Sequence, residues 1–345
     1  MKNRLLSILI ILILGINLYA KNRTIKGYYH NNKEVKRFVN FMIRKHNFKR
    51  SYLIKVFSKA AKPKKFRIKL KRKRKVHHGL AKGKRWWLRN KGYTKFEKAF
   101  LTEDRVREGV KFIQRYHTLF KRIEKKLKVD KYIIAAIIGI ESYYGEIKGQ
   151  WEAFNTLCYY SFKNKRRSRL FKYELENYLL LCYRQKLNAL LLKGSKFGAL
   201  GIGQLMPHSY IQYGISFDKN KRIEPFSNPD SIATVANFLH KKGWRFHQPV
   251  AIRASYSGLR FRALRTNTKR KYTLNDLYFV DVLPRQKVKI KRFKLVKLKR
   301  AEYDELWLTF KNFDILKRYN PSNYYAMAVF HLATEIKKRL QKKRK

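Results

Sequence analysis

The stretch Ile133–Gly145, IIAAIIGIESYYG, decides the reading of this chain. Its apolar residues run all round a helix rather than along one stripe, which predicts a buried helix opened by Asp130 as N-cap and stopped at Gly145. One carboxylate, Glu141, stands near the C-terminal end. There the negative end of the helix dipole and the loss of water both disfavour the anion, so the expectation is a raised pKa, which suits a general acid. A buried glutamate held by one of the chain's many cations is the competing reading, and this segment alone does not separate the two.

Around that helix, 345 residues allow one large domain or two smaller ones with a real core. Lys and Arg total 84 against 22 Asp and Glu, and a net charge of +62 calls for a polyanionic partner: nucleic acid, an anionic membrane or an anionic wall polymer. The N-terminus narrows the choice. Lys2 and Arg4 precede LLSILIILILGI (5–16), and Leu18-Tyr19-Ala20 offers a cleavage site, the three parts of a secretory signal over residues 1–20. The apolar run is shorter than a spanning helix needs, so cleavage after Ala20 and a periplasmic location are expected, with membrane contact only if the segment stays uncleaved. Export argues against nucleic acid, for which no zinc-finger or aromatic RNA-binding signature is present either. Cys158 and Cys182 sit in apolar contexts, where a disulfide and two buried thiols are both open readings.

Residues 21–95 form a strongly basic N-terminal extension and 96–345 the expected catalytic region. Helices are expected around 102–126, 130–145, 170–188, 207–213 and 229–242, with Asn228-Pro229 at a start and Gly214 and Gly243 at stops. FRIKLKRKRK (66–75) and VKIKRFKLVKLK (288–299) alternate apolar and basic residues, and the two are candidates to pair in a small sheet.

Four further segments accompany Glu141: RRSRLFKYELENYLLL (166–181), KGSKFGALGIGQLMPHSY (193–210), SIATVANFLHKKGW (231–244) and RYNPSNYYAMAV (318–329). The glycine-rich run lacks the phosphate-loop and dinucleotide patterns. In order and spacing the five motifs closely resemble the lytic murein transglycosylase B family of lysozyme-like enzymes, from about residue 100 to the C-terminus. The resemblance implies a mainly α, lysozyme-like helical catalytic core with a small β element. It implies Glu141 as the catalytic acid, with Ser195 and Gln204 lining a sugar cleft. Tyr319 and Asn320 would face the acid and the sugar's N-acetyl group, Tyr325 being a further candidate, and Arg166 and Arg167 would meet peptide carboxylates. The bland readings are a core tyrosine and a cap for the RYN motif, and solubility for the arginine pair.

Three departures stand out. Glu146 replaces an arginine usual in the family, and Phe238 a cleft tyrosine. Some members hold calcium in a D-x-x-x-D-G loop, whereas SFDKNKRIEPF (216–226) carries Lys219, Lys221 and Arg222, so no metal is expected. No cofactor is required. Glu174 and Glu176 read as structural, which leaves one carboxylate where ordinary glycosidases need two. The resemblance then implies a lyase acting on peptidoglycan strands with anionic stem peptides: Glu141 protonates the glycosidic oxygen between muramic acid and glucosamine units, and later takes the C6 hydroxyl proton to leave 1,6-anhydromuramic acid. A hydrolytic muramidase on the same fold, a non-catalytic wall-binding scaffold and a protein for other polyanions are the alternatives.

Overall fold

The computed structural model describes residues 24–63, 92–163, 165–217, 222–300 and 302–342. The expected signal, 1–20, and the alternating run 66–75 lie outside them. Among the described residues no helix is long and apolar enough to cross a membrane. Helices dominate, and the chain forms two compact units.

The first unit contains residues 24–63, 149–200 and 205–211. Its helices are α1 (Lys33–His46), α2 (Arg50–Ser58), α7 (Ala153–Phe162) and α8 (Ser168–Arg184). α1 shows why a basic segment folds: Val35, Phe38, Val39 and Met42 recur at helical spacing and are buried, while its charges occupy the other face. Asn32 caps it by accepting from Val35 N at 3.1 Å. Phe38 and Phe57 meet Phe162 and Phe154 edge-on, with centroids 5.7 and 5.3 Å apart. Lys172 and Glu34 pair at 2.6 Å. Between the helices, β1 (Trp151–Glu152) pairs antiparallel with β2 (Lys193–Gly194), in register Trp151↔Gly194. Cys158 and Cys182 are free buried thiols, and burial pushes Cys182 up to about 12.

The second unit holds α3 (Gly92–Phe100), α4 (Glu103–Arg115), α5 (His117–Leu127) and α6 (Lys131–Ser142), followed by α10 (Asn228–Lys241), α12 (Lys311–Tyr319) and α13 (Asn323–Lys342). α9 (Pro207–Tyr213) spans the boundary, its last two residues belonging here. The expected helix at 102–126 is two helices, broken at Tyr116. α6 is the expected buried helix: every residue from Ile133 to Ile140 is buried, packed against α4, α5, α10 and α13. Each buried isoleucine contributes roughly 1.5–3 kcal/mol, which makes α6 a strong apolar anchor of the unit.

Its expected N-cap needs correction. Asp130 stands at the cap position without capping, because its carboxylate accepts Trp244 Nε1 at 2.9 Å. Glu124 instead accepts from Lys131 N at 3.0 Å.

The unit's sheet has the order β4-β3-β6-β5, all antiparallel, from β3 (Ala251–Tyr256), β4 (Val282–Pro284), β5 (Lys294–Lys299) and β6 (Asp304–Thr309). β5 is the second half of the alternating run 288–299, and it pairs with β6, Lys294↔Thr309 through Lys299↔Asp304. A short return from Lys299 to Asp304 favours that local hairpin. One sheet face carries Ile252, Val282, Leu295, Leu306 and Leu308 into a core with Phe261 and with Leu277 of α11 (Leu274–Tyr278). From the other face, Trp307 meets Phe330 of α13 edge-on at 6.1 Å.

Candidate active site

α6 ends one turn earlier than Gly145 suggests. Glu141 lies in its last turn, half-buried, and Ser142 is the final helical residue. Tyr143 and Tyr144 then both take left-handed backbone, with φ of 51° and 58°, before Gly145 at 97°. Two consecutive aromatic residues in that region are uncommon and require support from their surroundings.

Tyr144 shows what supplies it. Its ring lies in a slot left by two glycines: a Cβ on Gly139 would fall 2.6 Å from Tyr144 Cζ, and one on Gly109 2.5 Å from its hydroxyl oxygen. Any side chain there would expel the ring. The hydroxyl donates to Arg105 O at 2.8 Å, and burial raises its pKa strongly.

Arg105 completes the anchor. The amides of Tyr143 and Tyr144 both turn back to Ile138 O, while the Gly139 carbonyl accepts from Arg105 Nε at 3.1 Å. Arg105 Nη1 donates to Ala99 O at 2.8 Å, and the guanidinium lies over Phe100 and Tyr143, 5.3 and 5.0 Å from their centroids. The side chain is buried, and desolvation lowers its pKa. A cation bonded to a helix-terminal carbonyl also meets the negative end of the helix dipole. No sequence pattern marks this role, since one more arginine among so many carries no signal.

Glu141 is joined by tyrosines. The Tyr325 hydroxyl is fully buried and has no well-formed hydrogen bond, yet it interacts with the Glu141 carboxylate. Burial chiefly, then the charge of Glu141 and the neighbouring Tyr319, raise its pKa well above that of a free tyrosine. The rings of Tyr319 and Tyr325 are parallel within 4°, with centroids 6.4 Å apart. Phe238 meets Tyr319 edge-on at 5.1 Å, so its ring has a packing role beside Tyr319. The Tyr319 hydroxyl donates to Gly203 O.

Gln204, left-handed at φ 49°, donates its amide to Gly201 O at 2.9 Å and to Lys148 O at 3.3 Å. It thus ties the loop 201–204 to the chain just beyond Glu141. Asn320 ends α12 in extended conformation, buried, and its Oδ1 has no protein hydrogen-bond partner. A buried amide oxygen left in that state is ready for an N–H donor.

The other named residues belong to the first unit. Ser195 Oγ accepts from Phe197 N at 3.2 Å and Ala199 N at 3.1 Å, which organises the turn before the glycine-rich loop. Arg166 and Arg167 are exposed in the 3-10 turn Lys165–Arg167 that leads into α8. Glu174 is buried on α8 and holds His208 through both oxygens, at 2.6 and 3.1 Å, while Glu176 binds Lys45 and His46. Both are structural.

Among the described residues no group of three or more His, Cys, Asp or Glu could hold a metal ion. In the stretch 216–226, where the sequence leads to no expected metal, 218–221 lie outside the described residues. Asp230, fully buried, accepts Phe217 N at 2.9 Å on one oxygen and Glu224 N at 3.0 Å on the other.

Residues 30–334 match the family described as the transglycosylase SLT domain. The membrane-bound lytic murein transglycosylase B of Escherichia coli (strain K12) is 30% identical over 312 residues, 90% of this chain and 84% of the relative. The lytic transglycosylase Slt35 of Escherichia coli, solved in complex with calcium, is similar with a TM-score of 0.79 and 29% identity, over 93% of this chain and 97% of that one. Soluble lytic transglycosylase SltB1 of Pseudomonas aeruginosa gives 0.77 and 28%, over 89% and 99%.

Proposed function

The chain belongs to the transglycosylase SLT domain family, and from that premise we propose how this lytic murein transglycosylase works and which residues do the work. It is a lyase of peptidoglycan. It breaks the β-1,4 bond between N-acetylmuramic acid and N-acetylglucosamine and leaves 1,6-anhydromuramic acid ends.

The observation that carries the residue assignment is the joining of Glu141, at the broken end of a buried helix, to the buried hydroxyl of Tyr325. Glu141 donates its proton to the glycosidic oxygen, and the glucosamine unit leaves with its C4 hydroxyl. The substrate's own N-acetyl oxygen stabilises the positive charge growing at C1. Glu141, now a carboxylate, takes the C6 hydroxyl proton as that oxygen closes onto C1, so acid and base are one group used twice. Tyr325 stabilises the carboxylate between the steps. Asn320 Oδ1 accepts the acetamido N–H, and Gln204 and Ser195 line the sugar path. Arg166 and Arg167 meet stem-peptide carboxylates as bidentate donors.

The protein acts on the bacterial cell wall. Export through the segment 1–20 with cleavage after Ala20, and action in the periplasm, complete the reading, with 96–345 as the catalytic region and 21–95 as a basic extension.

Product analysis tests it. Purified sacculi digested with the enzyme are expected to yield fragments one water lighter than hydrolytic ones and inert to borohydride, and none with Glu141→Gln at matched thermal stability. Reducible muramic acid ends would mean hydrolysis, and normal release by the variant would remove Glu141 from the mechanism.

A further inference from the structure

The second unit carries an exposed apolar patch that the chemistry above does not use. Phe279 is 76% exposed, Leu259 59%, Leu283 56% and Tyr278 50%. Leu259, Tyr278 and Phe279 lie on the segment that joins β3 to β4, and Leu283 lies on β4, the edge strand of the sheet. The turn before Leu259 is tied to the end of α11 by Ser257 N donating to Asp281 O at 3.1 Å. Arg260 pairs with Asp281 at 2.9 Å, and its guanidinium lies 5.7 Å from the centre of the Phe279 ring. Leu283 is the exposed residue of the edge strand, between buried Val282 and half-buried Pro284. Side chains of this size, left in water together and fixed by a folded frame, mark a contact surface.

The surroundings say what covers it. Between Arg253 and Arg292 the chain has twelve Lys and Arg residues and two acidic ones. Both acids are already committed, Asp276 to capping α11 and Asp281 to Arg260. Arg262, Arg265, Lys269–Lys271, Arg285 and Lys287 are all exposed. A second copy of the chain would bring two such cationic rims together, which like charges oppose. Peptidoglycan offers carboxylates to the rim but no apolar phase for Leu259, Leu283 and Phe279. A bilayer with anionic headgroups offers both.

We propose that this face docks on an anionic phospholipid surface, with Leu259, Tyr278, Phe279 and Leu283 entering the headgroup boundary and the rim of Lys and Arg meeting lipid phosphates. Apolar insertion and basic attraction together make the two-part signal that reversible membrane attachment needs. Tyr278 suits the boundary, with an apolar ring and a wet hydroxyl. The attachment is independent of whether the N-terminal segment is cleaved, which widens the expectation drawn from the sequence.

The test uses the full chain and its Leu259→Ser/Phe279→Ser variant, whose sites are exposed, with thermal melts to confirm matched folding. Co-sedimentation with vesicles of phosphatidylglycerol and phosphatidylcholine is expected to fall about tenfold or more in the variant, from the lost apolar insertion alone. Vesicles of phosphatidylcholine alone should bind the wild type weakly, and binding to sacculi should be the same for both proteins. Equal vesicle binding by the two proteins would overturn the proposal, because charge alone would then suffice. Parallel loss of sacculus binding would overturn it in favour of a wall-binding patch. Hydrogen exchange of the wild type gives a second measure: amides of 257–283 should slow on anionic vesicles, and unchanged exchange there contradicts docking by this face.

Discussion

Replacing Arg105 with methionine tests whether the end of α6 is held as described. Methionine keeps much of the length and apolar contact but cannot donate, so the Gly139 and Ala99 carbonyls lose bonds of 3.1 and 2.8 Å. Stranding a buried acceptor costs about 1–3 kcal/mol, which puts the gross loss at about 2–6 kcal/mol. Part returns, because the variant no longer buries a charge, and desolvation is what lowers the Arg105 pKa. The net expectation is about 2–4 kcal/mol, a fall in Tm of about 5–15 °C for a unit of this size. Arg105→Lys, able to reach one carbonyl with a mobile ammonium, should fall between. Function should follow at a temperature where all three proteins are folded. A frayed end misplaces Glu141, so kcat on soluble glycan chains should drop at least about tenfold while KM changes little. Thermal melts and initial rates of anhydromuramic release make the two measurements. A stability loss under about 1 kcal/mol, or normal turnover in the folded methionine variant, would refute the anchoring argument.

Three other expectations follow from named contacts. In Tyr325→Phe the buried hydroxyl that interacts with the Glu141 carboxylate is lost, so kcat should fall while KM changes little, with Tm unchanged or raised because that hydroxyl had no well-formed bond; a normal kcat would separate Tyr325 from Glu141. His331, which exchanges a 2.9 Å hydrogen bond with the Tyr93 hydroxyl and faces Glu97, Arg300, Glu305 and Glu335, is lowered by burial from 6.5 to about 4. Its depressed pKa means the stability it contributes is whole above pH 6.5 and is lost as pH falls towards 4, about 3 kcal/mol in all; melts of His331→Gln over that range should decline less steeply than wild type, and parallel curves would refute the assignment. Calcium should leave Tm unchanged against chelator, since both Asp230 oxygens already accept backbone amides; a rise of several degrees would show that the loop binds it.

What the sequence made legible is what depends on one segment at a time. α6 was readable because an apolar run without a polar face can only be buried, and α10 because Pro229 and Gly243 punctuate it. Glu141 stood out as the charge in that apolar run. The end of α6 was misplaced by three residues, because a glycine is the ordinary stop, whereas Tyr143 and Tyr144 hold left-handed backbone only through Gly109, Gly139 and Arg105. The Gly109 and Arg105 contacts join residues more than thirty positions apart and leave no local pattern. α1 and α2 are masked by the lysines and arginines that dominate their composition, although Val35, Phe38 and Met42 keep helical spacing. β6 goes unnamed as a neighbour of β5 for a related reason: alternation gives a strand a face but names no neighbour.

The scarcity of acids bears on the chemistry as much as on the charge. Of 22 carboxylate side chains in the sequence, those in the interior are largely engaged in holding the fold. Glu97 and Glu305 bind Arg300, Glu174 binds His208, Glu176 binds Lys45 and His46, and Asp230 binds two amides. Withdrawing Glu174, Asp230 or Glu305, which are buried, would leave a donor or cation unmatched, at a cost of about 1–5 kcal/mol. A two-carboxylate hydrolysis would need a second such group placed across the scissile bond and exempt from those ties. A reaction in which the substrate supplies the nucleophile, first its N-acetyl oxygen and then its C6 hydroxyl, needs only Glu141. The cationic exterior is compatible with that economy, because positive charge on the surface draws an anionic polymer from a distance while the bond is broken by one group set among tyrosines.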